Sequence, residues 1–404
     1  MVITPEYPPH LSGSLTPPEV LGTAALTTAA MNGMLLEGLL GVIDDTVADP
    51  VARMFDMATV CMLASRRADA LVLQAQVLRN CPVLRVRTAT AGATPLRVLA
   101  LLAPGDLMVN TPLDFITAHL DVRLDLLFLL PGHPLPAAVP DHDVLFVAIS
   151  EADPTLLARL ATLLTNWPRP IVNDPAALPI LARDRLAMLL ADLPGVCIPA
   201  TIAISRTDIL AKPDIAYPVL LRPLGSHAGH GLEKIDGAHA LAAYLAASET
   251  GSFYLSTFVD YRAADGLYRK YRVAFMDGRA ELCHMAASPH WMVHYLNAGM
   301  TEHADRRALE AAEMAGFDTG FARRHHAAFQ ALLKRLPFDY FSIDCSELPD
   351  GRLLIFEADT GAIIHLMEDP AMFPYKHAQM RRVFDAFDAM LRHRAAPPPR
   401  ALAA

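Results

Sequence analysis

The sequence predicts an α/β region followed by an α+β region, with a helical segment in front of both. Short apolar runs alternate with helical stretches between residues 97 and 172, which is typical of a parallel α/β layer. Hairpin patterns with glycine-containing turns follow, and apolar residues at helical spacing fill most of the first 80 positions. At 404 residues the chain is long for one core, so we expect several domains.

The composition excludes two broad classes. With 53% hydrophobic residues, the chain is too apolar to be disordered as a whole. Its formal net charge of −9, without a basic stripe, argues against a nucleic-acid-binding surface.

Cysteine usage and the chain's first residues predict a cytoplasmic protein. The five cysteines are widely spaced and form no CxxC pair, so neither a disulfide framework nor a zinc site is expected. The start MVITPEYPPH has no basic residues and no apolar core, unlike a secretory signal. The uncharged stretch from Val20 to Leu36 is shorter than the roughly 20 residues of a membrane span, so we expect a buried helix and no membrane contact.

The helical segment runs from about Pro18 to Asn80, after a proline-containing arm that we expect to be extended. Apolar residues recur there at intervals of three to five, and Asp49-Pro50 fits a cap followed by proline at the first helical position. Residues 51–79 resemble one αα-hairpin of the tetratricopeptide type, but no second copy follows at a fixed period. We therefore expect a helical subdomain packed on the rest of the protein.

The α/β region begins at Arg97. Its expected strands are residues 97–103, 124–130 and 143–149, with a helix at 111–120 between the first two. Asn110 and Thr111 come just after the first strand, at the edge where open α/β sheets bind ligands. Helix capping explains these two residues equally well.

A hairpin from Tyr217 to Ile235 carries the first chemical signal. An apolar strand ends in Arg222, and a glycine-rich loop then leads into the second strand, so backbone N–H groups could approach a polyphosphate closely. The residues of this loop that we expect to contact phosphate are Gly225, Ser226, His227, Gly229 and Gly231. His227 and His230 could donate to phosphate or serve only as polar loop residues.

A second hairpin lies between Phe341 and Asp359, with an Asp-Gly turn. It brings together the hard oxygen ligands of Asp344, Glu357 and Asp359, which predicts a Mg²⁺ site. Glu357 and Asp359 lie two residues apart and share one strand face next to apolar residues, where acids need a cation. The alternative is a hairpin with ordinary solvent-facing acids.

The pairing of these two hairpins, and their spacing, resembles the ATP-grasp superfamily of carboxylate-amine ligases, which includes glutathione synthetase and D-alanine:D-alanine ligase. The resemblance covers roughly residues 97–391 and implies an ATP-grasp fold behind a Rossmann-like α/β domain. The segments expected are an N-terminal arm and helical subdomain (1–90), the α/β domain (95–198), the lid (199–258), the core subdomain (259–394) and a disordered tail (395–404).

The resemblance also implies residue roles. Arg222 matches a lysine that contacts nucleotide phosphates, and Arg185 of Ala-Arg-Asp-Arg matches an earlier lysine. Arginine keeps the charge and can fork onto two phosphate oxygens, so both changes preserve phosphate binding. Adenine is expected against backbone groups around Thr257 and Val259, with Asp260, or alternatively Asp265, near the ribose.

In the core, the resemblance implies that Arg272 of Lys-Tyr-Arg-Val steadies the γ-phosphate or acyl-phosphate. Arg269 and Lys270 are then candidates for contact with an acidic substrate. Asn297 belongs to the acceptor loop, in which Tyr295 replaces an arginine of several relatives. His290, Trp291 and His294 are expected to shape the acceptor pocket, and Asp359 stands where the family usually has asparagine.

The function implied is that of an ATP-dependent ligase that joins a carboxylate to an amine through an acyl-phosphate and releases ADP and phosphate. It would use ATP with Mg²⁺, or Mn²⁺, and small-molecule or peptide substrates. A catalytically idle nucleotide-binding scaffold and a kinase that stops at phosphoryl transfer are the alternatives. A homo-oligomer and a protein partner for the N-terminal helices stay open.

Overall fold

The computed structural model describes residues 9–88, 94–150, 154–212, 214–226 and 229–396. The helices are α1 (Thr23–Met31), α2 (Leu36–Thr46), α3 (Pro50–Leu63), α4 (Arg67–Asn80), α5 (Leu113–Thr117), α6 (Pro154–Leu164), α7 (Arg183–Leu190), α8 (Arg206–Ala211), α9 (Ala238–Ala247), α10 (Ala304–Gly316), α11 (Phe321–Arg324), α12 (His326–Arg335) and α13 (Lys376–Ala395). Short 3₁₀ helices cover Pro175–Leu181 and Tyr295–Asn297. Within these ranges no helix combines the length and apolar character needed to cross a membrane.

The strands are β1 (His10–Ser12), β2 (Glu19–Val20), β3 (Val83–Val86), β4 (Leu96–Leu102), β5 (Val122–Phe128), β6 (Ala138–Pro140), β7 (Val144–Val147), β8 (Ile171–Val172), β9 (Val196–Cys197), β10 (Thr201–Ser205), β11 (Val219–Pro223), β12 (Glu233–Ile235), β13 (Ser252–Thr257), β14 (Tyr268–Met276), β15 (Arg279–Ser288), β16 (Tyr340–Glu347) and β17 (Leu353–Asp359). They form a six-stranded, a five-stranded and a four-stranded sheet, and β1 pairs with β6.

The six-stranded sheet has the order β2-β3-β5-β4-β7-β8, and all its pairs are parallel except β3 with β5. Both faces are covered, which explains the continuous apolar run of β4. Val98 and Ala100 pack towards the N-terminal helices and α13, whereas Leu99 and Leu101 pack towards α6. This sheet of mostly parallel strands, followed by an antiparallel sheet and a mostly antiparallel one, confirms the expected α/β and α+β class.

The N-terminal helices share a core with this sheet. Leu26 of α1, Ile43 of α2 and Phe55 of α3 lie in the same buried cluster as Val98. Asp49 caps α3 by accepting from the backbone N–H groups of residues 51 and 52 at 2.7 and 3.1 Å. Whether the helices form a separate folding unit stays a prediction.

The four-stranded sheet, called the lid sheet here, is antiparallel with the order β10-β13-β11-β12. Its apolar face packs on α8 and α9, where Val219, Leu221 and Phe253 meet Leu241 and Leu245. Because side chains alternate along a strand, the neighbours of these residues lie on the opposite, uncovered face.

The five-stranded sheet, called the core sheet, has the order β15-β14-β16-β17-β9. Its apolar face packs on helices α7, α10, α11 and α12 through Val273, Phe275 and Ile343, among others. The helical stretch that follows β15 is divided into α10, α11 and α12, and glycines at 316 and 320 lie where α10 ends and α11 begins.

Helix α13 begins at Lys376 and packs between the six-stranded sheet and the core sheet. Phe387 on this helix lies 5.9 Å from the ring of Phe146 and 5.3 Å from the ring of Tyr340. The helix therefore joins the α/β region to the core sheet through one aromatic cluster. Of the tail expected to be disordered, residues 397–404 lie outside the described residues.

Candidate functional site

A large cleft separates the uncovered face of the lid sheet from the polar side of the core sheet. Its volume is about 630 Å³, within the range of roughly 300–1,000 Å³ typical of small-molecule sites. The α/β region contributes Met108 and Ser150 at the ends of its loops. The cleft thus lies where three parts of the chain meet.

The lid wall of the cleft is set by the alternation of β11. Val219 and Leu221 are buried on the helix side, so Leu220 and Arg222 face the cleft. Across the strand pair, Arg222 lies opposite Tyr254 and also lines the cleft with it. A cation is therefore presented on the uncovered face of the lid.

The glycine-rich loop continues from this strand over the cleft. Gly225, Ser226 and Gly229 line the cleft, and Gly225 and Gly229 have φ values of 69° and 76°. These are left-handed conformations that glycine adopts at low cost. Arg222 Nε donates to Ser226 Oγ at 3.2 Å, so the strand cation holds the beginning of the loop.

Two other residues predicted to contact phosphate, Gly231 and His227, are not among the described residues that line the cleft. Gly231 has a φ of 65° and packs against Pro223 instead of lining the cleft. His227 lies outside the described residues. Gly229 approaches the loop that contains Met292, because a Cβ at Gly229 would lie 3.8 Å from Met292 Sδ. The glycine-rich loop thus faces the core wall at close range.

The core wall carries a row of charged residues across three strands. Arg272 lies opposite Asp344, and Asp344 lies opposite Glu357. Asp359 lies one row further, opposite Ser342. A register shift between Asp344 and Cys345 inserts an extra residue, Phe356, into β17. This β-bulge turns both Phe356 and Glu357 towards the cleft, as bulges near functional sites commonly do.

The three acids of the core wall, Asp344, Glu357 and Asp359, each have a different partner. Asp344 is held by Arg272 through two hydrogen bonds, from Nε at 2.8 Å and Nη2 at 3.0 Å, and by Lys270 Nζ at 2.6 Å. Glu357 pairs with Arg183, which reaches across from α7. Asp359 Oδ1 accepts from the backbone N–H of Gly361 at 2.5 Å.

These surroundings shift the pKa values of two of the acids in opposite directions. Burial alone would raise the pKa of Asp344, but the charges of Arg272 and Lys270 hold it well below its usual range. Burial, followed by the nearby charge of Glu357, raises the pKa of Asp359 to about 6, although the Gly361 N–H opposes the shift. Of the three acids, Asp359 is therefore the one that lacks a cation at hydrogen-bonding distance among the described residues.

The predicted metal ligands share one sheet face but do not form a three-residue metal group. Among the described residues, no set of three His, Cys, Asp or Glu side chains is placed to hold an ion. Both oxygens of Asp344 are occupied by Arg272 and Lys270. Glu357 and Asp359 still offer hard oxygen donors, and Mg²⁺ is commonly bound by one or two carboxylates plus substrate phosphates. This pair therefore fits Mg²⁺ delivered with a nucleotide.

The basic residue on α7 that lines the cleft is Arg183, whereas the sequence analysis selected Arg185. Arg183 is the first residue of α7 and meets Glu357. Arg185 is exposed and does not line the cleft. Two residues along an α-helix rotate a side chain by about 200°, so only one of the two arginines can face the acids. A 3₁₀ helix that contains Pro179 precedes α7, which begins at Arg183.

Of the residues predicted to contact adenine and ribose, some line the cleft and one lies outside it. Thr257 and Val259 line the cleft beside Tyr261, although the Thr257 N–H already donates to Ala200 O at 3.0 Å. Asp260 is exposed and accepts from the N–H of Arg262 at 3.1 Å. It caps a local turn outside the cleft.

Asn297 is also exposed, and its side chain accepts from the His294 N–H at 2.9 Å. It therefore supports the acceptor loop, while His294 itself lines the cleft. Burial, followed by the charges of Lys270 and Arg272, lowers the pKa of His294, so its ring is neutral near pH 7.

Two cleft residues come from loops of the α/β region. Ser150 follows β7 and Met108 follows β4, both at the carboxyl edge of the parallel strands. Met108 belongs to the segment that the edge rule selected together with Asn110 and Thr111, whereas Ser150 escaped the sequence analysis although the same rule could have found it. Asn110 and Thr111 make structural hydrogen bonds near this edge. Asn110 bonds to both the N–H and the C=O of Ala103 at 2.8 Å, and Thr111 Oγ1 donates to Thr360 O, in the segment after β17, at 2.8 Å.

Comparisons with known proteins give a limited result. No family model matches the chain, and no curated protein matches it. Among solved structures, VanG D-Ala:D-Ser ligase from Enterococcus faecalis is 12% identical, with a TM-score of 0.46 over 75% of this chain and 100% of that one. A RimK domain protein ATP-grasp from Sphaerobacter thermophilus is 17% identical, with a TM-score of 0.41 over 73% and 99%.

D-alanine–D-alanine ligase from Bacillus anthracis, complexed with ATP, is 14% identical, with a TM-score of 0.43 over 74% of this chain and 98% of that one. The chain is thus similar to an ATP-grasp protein and to two ligases. With TM-scores below 0.5, these likenesses carry no weight for the reaction, which has to be inferred from the cleft residues.

Proposed function

We propose that this chain is an ATP-dependent ligase that joins a carboxylate to an amine through an acyl-phosphate and releases ADP and phosphate. One observation carries the proposal: Arg222 with its glycine-rich loop and the row Arg272, Asp344 and Glu357 line opposite walls of one cleft. A phosphate-binding loop that faces paired cations and acids is the equipment that phosphoryl transfer needs.

Arg222 and the loop N–H groups are suited to hold nucleotide phosphates, because both donate hydrogen bonds to oxygen anions. Arg183 is suited to the same task from the opposite side. Glu357 and Asp359 would hold Mg²⁺, which neutralises phosphate charge during transfer. Val259 and Phe356, partly buried apolar residues that line the cleft, offer a surface for a flat base.

In the first step, a carboxylate oxygen attacks the γ-phosphorus, and the bond to the β-phosphate oxygen breaks to release ADP. In the second step, the amine nitrogen attacks the acyl carbon, and the carbon–oxygen bond to phosphate breaks. The amine's proton passes to the departing phosphate or to water. Arg272, whose two hydrogen bonds to Asp344 fix its guanidinium, would neutralise the transferred group.

The second candidate is a nucleotide-binding scaffold without catalysis. The observation that favours it is that Asp344 is fully occupied by Arg272 and Lys270, which leaves two acids for a metal instead of three. A kinase that stops at the acyl-phosphate is the third candidate, because the first step alone uses the same residues.

One experiment separates the three. Purified protein is given MgATP with paired acids and amines, each also supplied alone, and ADP, AMP and hydroxylamine-trapped acyl-phosphate are measured. A ligase releases ADP efficiently only when acid and amine are both present. ADP release with acid alone, together with trapped acyl-phosphate, indicates a kinase. MgATP binding without ADP release indicates a scaffold, and AMP as product excludes the acyl-phosphate route.

A further inference from the structure

At one end of the core wall, two cations share a single acid. Lys270 and Arg272 both contact Asp344, whose side chain is only 2% exposed, while their own side chains are 18% and 19% exposed. These three residues together carry a net charge of +1, and the acid opposite Asp344, Glu357, is already paired with Arg183. A largely buried cation that shares its counter-charge is costly, so this end of the wall favours binding of a further anion.

Arg272 and Lys270 are not equally available to that anion. Arg272 uses Nε and Nη2 on Asp344 and donates from Nη1 to Ile363 O at 3.2 Å. Lys270 has three N–H donors, and Asp344 is its ion-pair partner among the described residues. Its ammonium group therefore has donors left for a ligand in the cleft, which it lines.

The position of Lys270 separates it from Asp359, one of the two acids suited to the metal. Along β14, Ala274 shares a row with Ser342 and Asp359, and Arg272 shares the next row with Asp344. Lys270 lies two residues further, on the side away from Asp359. Successive same-face positions on a strand are roughly 7 Å apart, so Lys270 and the Asp359 row are separated by roughly 13 Å.

The neighbour of Lys270 at that end is the acceptor loop. That loop follows β15, whose last residue, Ser288, pairs with Tyr268 of β14. His294 of the loop lines the cleft, and a histidine side chain carries no negative charge near pH 7, so it does not supply the anion. The adjacent cation Arg269 faces the other way and pairs with Asp265, with a distance of 3.1 Å from Nη1 to Oδ1.

We propose that Lys270 determines specificity by binding a carboxylate that does not react, so that one of the two substrates is an acidic amino acid or a dicarboxylic acid. This inference rests on the proposed ligase function, because it assigns a substrate class to the same cleft. The nucleotide phosphates are the other source of negative charge, and the experiment has to distinguish the two.

The test measures binding, so it does not depend on turnover. Calorimetry in the presence of MgADP compares three acids with their amides: aspartate with asparagine, glutamate with glutamine, and succinate with succinamate. In the wild type, at least one acid should bind about tenfold more tightly than its amide, the factor expected from one charge-assisted hydrogen bond. In Lys270→Met this preference should fall to about twofold or less, with MgADP affinity unchanged within about twofold.

Two further variants guard the interpretation. Lys270→Arg should restore the preference for the acid, because it keeps the charge. Arg269→Met, which removes the neighbouring cation that faces away, should leave the preference intact. Circular dichroism checks that Lys270→Met is folded, which is expected because Asp344 keeps Arg272.

Three outcomes would overturn the proposal: no preference for any acid in the wild type, a preference that survives Lys270→Met, or a loss of MgADP affinity with the preference unchanged. The last outcome would assign Lys270 to the nucleotide. Failure of the ligase function is a separate result, since it appears as absent ADP release while acid binding is measured without turnover.

Discussion

The two walls of the cleft fix their functional groups in different ways. On the core wall, Arg272, Asp344 and Glu357 stand side by side on three strands, and ion pairs tie them to one another and to Lys270 and Arg183. On the lid wall, the loop that follows β11 turns through glycines with positive φ. The core wall thus depends on paired side chains, and the lid wall depends on backbone conformation. Removing a charge should therefore lower the free energy of unfolding most on the core wall. Adding a Cβ atom at a glycine should lower it most on the lid wall.

The largest expected effect is on the core wall. Asp344→Ala leaves Lys270 and Arg272 buried without their shared counter-charge, so the free energy of unfolding should fall by about 3–5 kcal/mol. Urea unfolding at pH 7 measures it. The matched lid variant is Arg222→Ala, whose loss should stay near 1 kcal/mol because its site is more open to water. If both variants lost the same free energy of unfolding, the core wall would not depend on its charge pairs more than the lid wall does.

The next effect tests the lid backbone. Gly231→Ala combines a φ of 65° with a Cβ only 2.8 Å from Pro223 Cδ, so we expect a loss of about 2–3 kcal/mol from strain and overpacking together. Gly225→Ala is the control, because its φ is 69° but no atom lies within 4 Å of the added Cβ. Its loss should be about 1 kcal/mol.

Thermal unfolding of both glycine variants gives the comparison. If Gly225→Ala is as harmful as Gly231→Ala, the close approach to Pro223 does not matter, and backbone strain alone limits the loop.

A third prediction concerns the two arginines of α7. Arg183→Ala removes the cation that faces Glu357 in the cleft, so the Kd for MgADP should rise about tenfold, equivalent to about 1.4 kcal/mol. Arg185→Ala, on the exposed side, should change the Kd by less than about twofold. Isothermal titration measures both values. The reverse ranking would support the original choice of Arg185 and would mean that α7 turns when nucleotide binds.

The smallest expected effect concerns the pH dependence of stability that Asp359 causes. The pKa of Asp359 is raised to about 6 from an ordinary value of 3.8. Between these values the folded chain holds the proton more tightly than the unfolded chain. Stability therefore falls as pH rises through this window, and the full penalty is present above pH 6.

Asp359→Asn removes that penalty and keeps an oxygen that accepts from Gly361 N–H. Without divalent metal, it should raise the free energy of unfolding by about 1 kcal/mol at pH 7.5, a value reduced for partial exposure, with little effect near pH 4. Urea unfolding in EDTA at the two pH values measures the difference. A gain of the same size at both values would show that the proton on Asp359 is not involved.

Much of this protein's architecture could be predicted from local patterns. The alternation of apolar residues and the glycine and Asp-Gly turns indicated the hairpins that became β11–β12 and β16–β17. These features depend on a few neighbouring residues, whose periodicity sets which side chains share a face. Hence Arg222, Asp344, Glu357 and Asp359 could be named as cleft residues from sequence.

The partners of those residues needed the tertiary structure. Arg183 and Glu357 are 174 positions apart, and Arg272 and Asp344 are 72 apart. Helical spacing says that Arg183 and Arg185 face different ways, but only the packing of α7 on the core sheet decides which one meets the acid. The bulge at Phe356 likewise appears only when β17 pairs with β16.

By itself, the sequence determined the two hairpins, the glycine-rich turn and the acids of one strand face, because each follows from spacing of two to four residues along the chain. Only the tertiary structure decided that Asp344 is shared by two cations, while half-buried Asp359 has no cation at hydrogen-bonding distance among the described residues. The physical reason is that a charge's energy depends on its partners and on its exclusion from water, and the folded chain sets both.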